Sequence, residues 1–360
     1  MTLSRIDLID FRSFTAGVFV PEPEGTTVIT GANGTGKTSV LEAIAYCGSQ
    51  RSFRGAPRDA LIRTGCDRAI VRAEFRNKAV PTMVEAEIVP AGRSRTLVNH
   101  KEANGRKALS AAAPWTIFSP EDLALVSGGP SLRRDMLDDA LGLTDSEGAR
   151  AADETERILR QRAALLRQSG GRATADVATT LDVWDQRLAD TGKILVTARE
   201  RLVNALGAFV GPAYAHLAGV EGADVVTHTY VRSWEGELLG ALRAQRAEDL
   251  RRGVNTIGPH RDDLVLTLDG REARMHASQG EQRCLALALR IGVHQLVVER
   301  TGVVPILLLD DVFSELDPAR SKALVTQLPA GQCILTTAAP LPAGIEVAGL
   351  VDIQHVVGGS

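Results

Sequence analysis

Apolar and polar positions alternate with a period of two near the start of the chain. "AIVRAEF" (69–75) and "MVEAEIV" (83–89) read as antiparallel strands. "TTVIT" (26–30) is a short β-branched run stopped by Gly31, and a helix is predicted from about Lys37. From about Pro130 to Ala218 the period becomes helical. Leu181, Leu188, Leu195, Leu202 and Phe209 recur at heptad spacing, with Trp184 and Ala198 on the neighbouring row. Ala151, Ile158 and Leu165 do the same on an earlier helix, and "SGGRAT" (169–174) separates the two. This excursion is too short for an extended arm, so it reads as helices packed in a small lobe. After the strand "VVTHTYV" (225–231) and another charged helix come "DLVLTLDG" (263–270), a helix opening with Ser-Gln-Gly, "VVPILLLDD" (303–311) and "CILTT" (333–337). No internal repeat or low-complexity tract interrupts this order.

Composition narrows the classes. The chain has 360 residues, 44% hydrophobic and 24% charged, enough for a sizeable core in two domains or lobes. Its 41 Lys and Arg against 44 Asp and Glu leave a net charge of −3, so any contact with nucleic acid must come from a local patch. The four cysteines, Cys47, Cys66, Cys284 and Cys333, lie far apart and read as reduced, buried thiols. "MTLSRIDLIDF" carries acids where a leader needs an apolar run, and "VVPILLL" (303–309) is too short to span a bilayer. A cytoplasmic protein is expected.

Three stretches carry chemistry. Gly31-Ala32-Asn33-Gly34-Thr35-Gly36-Lys37-Thr38, followed by Ser39, fits the phosphate-loop pattern in full and lies between a strand and a helix. Its backbone N–H groups can close around the β- and γ-phosphates of a nucleotide, with Lys37 as a point charge and Thr38 as a hydroxyl for Mg²⁺. "ILLLDD" (306–311) reads as a buried parallel strand ending in two carboxylates, at the sheet edge where ligands bind. Asp310 is expected to hold Mg²⁺ directly or through water, and Asp311 to orient the attacking water. The third stretch is Ser278-Gln279-Gly280, a hydroxyl and a glycine opening a helix, suited to an anion as well as to capping. One nucleotide has one γ-phosphate, which Lys37 already serves. A second donor set makes sense on the nucleotide of a neighbouring copy, two chains facing head to tail across two ATPs.

An S-x-G helix, an acid-ended strand and "SELD" after it resemble the ABC type of ATPase. More narrowly, the chain resembles the RecF family of bacterial recombination-mediator ATPases. The matching text is "FRSF" (11–14), "GANGTGKTSVLEAI", "RSFR" (51–54), "FSPEDLALVSGGPSLRRDMLD" (118–138), "GPHRDDL" (258–264), "SQGEQR" and "LLLDDVFSELDPAR". Residues from about 140 to 250 and the last twenty or so match only in character. The resemblance implies an α/β fold: an ATPase lobe from both chain ends, 1–118 and 252–360, with a mainly helical lobe inserted over 119–251. It also implies ATP-dependent dimerisation on DNA and help in loading RecA at gaps, with RecR and RecO as partners. Hydrolysis would be slow and used as a switch, and Asp317 would lie in a loop crossing the dimer interface. Two departures from ABC transporters stand out: Asp311 where most have Glu, and Thr336-Thr337 where they usually carry His.

DNA contacts are less legible. The candidates are Arg93, Arg95, Lys101, Arg106 and Lys107, assigned to one hairpin, and Arg51, Arg54 and Arg58 in a loop after the first helix. A solvated face is the plainer account of such residues taken singly. "GPHRDD" (258–263) is polar text before a strand and receives no chemistry: a solvated turn and a role beside ATP or DNA both stay open. A transporter motor subunit is disfavoured by the helical insert and the missing His, and a long chromosomal tether by the short excursion.

Overall fold

The computed structural model describes residues 1–77, 80–103, 105–222 and 225–357. The chain opens with β1 (Thr2–Phe11) and β2 (Phe14–Phe19), and β3 (Gly25–Thr30) runs through the phosphate loop into α1 (Lys37–Ser49). The short α2 (Arg58–Leu61) precedes β4 (Ala69–Asn77), β5 (Val80–Ile88), β6 (Arg95–Val98) and β7 (Lys101–Glu102). Next come α3 (Arg106–Ala112), β8 (Trp115–Phe118), α4 (Leu123–Ser127), α5 (Pro130–Thr144), α6 (Ser146–Gln168) and α7 (Ala175–Ala218). β9 (Val226–Val231), α8 (Leu238–Arg252), β10 (Asp263–Leu268), β11 (Arg271–Glu272) and α9 (Ala273–His276) lead to the helix of the Ser-Gln-Gly stretch, α10 (Gln279–Thr301). The chain closes with β12 (Ile306–Asp310), α11 (Pro318–Gln327), β13 (Gln332–Thr337), β14 (Val347–Asp352) and α12 (Ile353–Val357).

The described residues form three sheets. The parallel one has the order β14-β3-β13-β12-β8, so strands from near both ends of the chain lie side by side. The antiparallel one, β2-β1-β4-β5-β6-β7, includes the two strands expected at 69–75 and 83–89. A small third sheet joins β11, β10 and β9. Strand β12 explains why its text is apolar throughout: all five residues are buried. Ile306 and Leu308 face a core shared with α1 and the antiparallel sheet, while Leu307 and Leu309 face a core shared with α7 and α10. A strand covered on both faces has no polar side to show.

The helical region departs from its heptad reading in an instructive way. Leu181, Leu188, Leu195 and Leu202 are buried, but Phe209 is only half-buried, and Leu206 and Val210 carry the core instead. A straight α-helix drifts about 20° per heptad from a 3.5-residue repeat, so the buried stripe slides off position 209. On α6 the same drift replaces Leu165 by Leu166 and brings Arg162 into the stripe, with no exposed surface at all. Arg162 donates to Asp185 (2.7 Å), Asp249 (2.6 Å) and Asn255 (2.7 Å), tying α6, α7 and α8 together. The residues around 258–263 form no solvated turn. Asp262 is fully buried and accepts from the Tyr230 hydroxyl (2.6 Å) and the Ser233 N–H (2.9 Å). Arg199 donates to the Pro259 carbonyl (2.8 Å) and pairs with Asp138, and Arg133 grips Asp263 with two bonds of 2.7 and 2.9 Å. Among the described residues no helix is long and apolar enough to cross a membrane.

Candidate nucleotide site

The phosphate loop is shaped by the strand before it and the helix after it. Gly36 caps α1 at φ 102°, in the left-handed region, and a Cβ there would stand 3.1 Å from the ring of Phe14. Only glycine meets both conditions without strain. Ala32, Asn33 and Gly34 are exposed, Gly31, Thr35, Thr38 and Ser39 half-buried. Lys37 is buried and donates through Nζ to the carbonyls of Gly31 (2.7 Å) and Ala32 (2.9 Å), which keeps its charge inside the loop's curve.

The acid strand meets this loop directly. Thr38 Oγ1 donates to Asp310 Oδ1 at 2.8 Å, and Thr336 Oγ1 donates to the same oxygen at 2.7 Å. Parallel pairing of β12 with β13 sets Asp310 opposite Thr336, so Thr336 acts here by fixing the carboxylate. Burial pushes the Asp310 carboxyl above the usual carboxylate range, against the pull of the Thr336 and Thr38 hydroxyls. Oxygen donors converging from Thr38 and Asp310 are what Mg²⁺ takes. Asp311 stands at φ 46°, a left-handed conformation that Asp tolerates better than most residues. One of its carboxylate oxygens is buried with no hydrogen-bond partner among the described residues. Such an oxygen is costly unless something arrives to bond it.

A cleft of about 530 Å³ opens beside these groups. Lys37, Thr38, Asp310 and Asp311 line it together with Arg12, Arg54, Ala60 and Ile62. Arg12 is held by two bonds to the buried Glu42 (2.7 and 2.6 Å) and one to the Ala60 carbonyl (2.8 Å). Sequence reading used Arg12 only as matching text. Its signal was the pairing of "FRSF" with Glu42 on α1, which requires the strand–helix geometry to be seen.

Ser278, Gln279 and Gly280 do not line this cleft. Ser278 is the N-cap of α10, its hydroxyl and its N–H both donating to Glu281 at 2.7 Å while the Glu281 N–H returns to Ser278 Oγ at 3.3 Å. The bonds from the Ser278 hydroxyl, then from its backbone, hold the Glu281 carboxyl below its usual range. A Cβ on Gly280 would stand 2.7 Å from Nη1 of Arg320, so the missing side chain makes room for that guanidinium. Arg320 in turn pairs with Asp317 (3.1 Å), which caps α11 through the Arg320 N–H (2.9 Å). The Ser-Gln-Gly helix start and Asp317 thus meet on one exposed face.

The basic candidates separate. Arg95 and Lys101 lie on the hairpin strands β6 and β7, and Arg93 beside them pairs with Glu102 (2.7 Å). Arg106 and Lys107 are not on that hairpin: they open α3, where Arg106 is tied to Asp153 (3.1 Å). Arg51 pairs with Asp135 and Asp139 on α5, and Arg54 with Glu121 (3.1 Å). Arg58 starts α2, not the loop, and donates to the Gly92 carbonyl (3.2 Å). Asp122, next to Glu121, was also missed: it is buried and accepts two bonds from Arg290 of α10 (2.9 and 2.6 Å).

Residues 2–338 match the family model described as the RecF/RecN/SMC N terminal domain. The DNA replication and repair protein RecF of Beutenbergia cavernae is 40% identical, over 94% of each chain, and that of Acidothermus cellulolyticus 38%, also over 94% of each. A solved structure of the recombination mediator protein RecF with ATP superposes with a TM-score of 0.84 at 26% identity, covering 96% of this chain and 93% of that one. An Smc head domain with an extended coiled coil from Pyrococcus furiosus shares the fold at a TM-score of 0.51 and 17% identity. The chain belongs to the RecF family and has its ABC/SMC-like P-loop ATPase fold.

Proposed function

We propose that this RecF-family chain is an ATPase of DNA replication and repair that uses slow hydrolysis as a switch. The observation that carries the reading is the shared bond of Thr38 and Thr336 to Asp310, which joins phosphate loop, acid strand and sheet at one oxygen. Lys37 and the backbone of residues 31–39 bind the triphosphate, while Thr38 and Asp310 hold Mg²⁺. Bound there, the ion would supply positive charge to offset that of the phosphates. Asp311 receives the proton of the attacking water, its unpartnered oxygen being the atom that needs a donor.

The finer reading is a dimer. Residues 1–118 and 252–360 form the ATPase lobe and 119–251 the inserted helical lobe. Ser278, Gln279 and Gly280 of one copy complete the site of the other, and Asp317 lines the interface. That cycle would place the protein on gapped DNA with RecR and RecO and favour RecA loading. Arg95 and Lys101 are the cations we assign to DNA. Reversing both should flatten the fall of affinity with salt, and an unchanged slope would clear them.

The test is complementation. Lys37→Ala removes one half of the composite site and Ser278→Arg the other. Each alone should be inactive, yet mixing them leaves one site with an intact loop and an intact Ser-Gln-Gly helix. Recovery of hydrolysis on mixing supports the dimer. A Ser278→Arg monomer unable to bind ATP would assign the serine to its own chain's site and end the reading.

A further inference from the structure

Two stretches of the chain take no part in the nucleotide cleft: "SLRRDMLD" (131–138) and "GPHRDDL" (258–264). The fold sets α5 against the start of β10 and treats the arginines there in opposite ways. Arg133 and Arg199 are buried, each gripping a carboxylate with two bonds, Asp263 and Asp138 in turn. Arg134 and Arg261 hold carbonyls instead. Arg134 Nη1 donates to the Asp262 carbonyl (2.6 Å), and Arg261 donates to the Asn255 carbonyl through Nε (3.3 Å) and Nη2 (3.0 Å). Neither has a carboxylate partner among the described residues. His260 stands near both: burial first, then the charges of Arg261 and Arg134, bring its imidazole down to about 4. Arg232, exposed and likewise unpaired among the described residues, lies between Val231, opposite Asp263, and Ser233, bonded to Asp262. Glu235 and Glu237 follow it in the chain and pair with none of the three among the described residues. The other carboxylates nearby are taken. Asp135 pairs with Arg51 (3.1 Å), Asp249 with Arg162 (2.6 Å), and Asp262 accepts from Tyr230 and Ser233. A guanidinium held by a carbonyl is fixed in place without being neutralised, and its remaining N–H groups stay available to an anion.

We infer that Arg134, Arg232 and Arg261 form a binding site for successive phosphates of a nucleic-acid backbone. The inference rests on the DNA reading above and adds a contact where α5 meets β10, on elements other than the hairpin of Arg95 and Lys101. Planar guanidiniums take phosphate oxygens in pairs, so fixed ones position a backbone without reading its sequence. Three of them, spread over α5, the end of β9 and the turn before β10, suit a charge that repeats along a strand. The site also accounts for the two fates of adjacent residues. Arg133 ties α5 to β10 through Asp263, and that clamp holds half-buried Arg134 in position for a ligand.

The experiment uses the full chain, ATP and a gapped DNA duplex, with affinity read by fluorescence anisotropy across a salt series. Arg134→Gln combined with Arg261→Gln should weaken binding about tenfold or more at physiological salt. The log–log slope should become shallower by about two, since each phosphate contact contributes about 0.9. Melting temperature and ATP turnover without DNA should match the parent's. Arg134→Lys combined with Arg261→Lys keeps the charge and should keep the parent's slope; a slope as shallow as the glutamine pair's would overturn the site. A glutamine pair with the parent's slope would also overturn it, and if reversing Arg95 and Lys101 still flattens that slope, the DNA reading survives. A parent that binds no DNA would bring down both. A measurement on the unaltered chain guards against a folding defect. Modification of Arg134 and Arg261 by phenylglyoxal, read by mass spectrometry, should fall when the duplex is present. Equal modification with and without DNA would end the proposal, as would protection by poly-glutamate alone, which would give the site to an acidic protein.

Discussion

The phosphate loop and the Ser-Gln-Gly helix start, the two halves of the site we propose, are finished to different degrees. The phosphate-loop half is complete within one chain: Lys37 is buried, and Asp310 is fixed by two hydroxyls. The Ser278 half is exposed and closed upon itself, its hydroxyl spent on Glu281. The first half is preorganised to receive an anion. The second must give up a bond within its own chain before it can serve one. On the reading we propose, a site divided in this way would hold ATP alone and respond to it only in company.

The sharpest way to break this comparison is to remove charge from the finished half. Lys37→Ala should lower hydrolysis by about a hundred- to a thousandfold, as loss of one preorganised donor does, without unfolding the protein. Parent-level turnover in a steady-state assay would show that the loop does not serve the nucleotide. Asp311→Asn comes next. Hydrolysis should fall on the order of a hundredfold. A variant that hydrolyses ATP at the parent rate would clear Asp311 as the base.

The unfinished half should respond weakly. Ser278→Ala should cost about 1 kcal/mol of stability, the worth of a helix cap, measured by chemical denaturation. The Glu281 carboxyl is depressed in the fold, so its contribution is fully present above the usual glutamate range. It is lost as pH falls through the depressed value. Comparing the parent with Glu281→Gln, the difference in stability should shrink on acidification. A difference constant from neutral to acid pH would mean that the ionised form is not what caps the helix.

Much of the finished half was legible because its chemistry is local. Residues 31–39 and 306–311 are contiguous, and burial on both faces leaves β12 an unbroken apolar run. What escaped was set by packing between distant segments. Thr336 looked like an absence of histidine until the register of β12 and β13 put it opposite Asp310. Arg162 carries no local signal: drift from the heptad turns it inward to Asp185 and Asp249. Arg106 and Lys107 were assigned to the hairpin, while the backbone there begins a helix.

The order of the parallel sheet carries a consequence for how the protein is made. Strand β3, which carries the phosphate loop, has β13 and β14 as its neighbours, and these leave the ribosome some 300 residues after it. The antiparallel strands β1, β2, β4 and β5 end by Ile88 and can pair long before that. The loop between them has to wait. A nascent chain therefore passes most of its translation with β3 lacking both partners, and contacts this distant in sequence form slowly. ATP binding should appear late and abruptly, once residues 332–337 are released. A chaperone that shields β3 until then would act on yield and not on turnover.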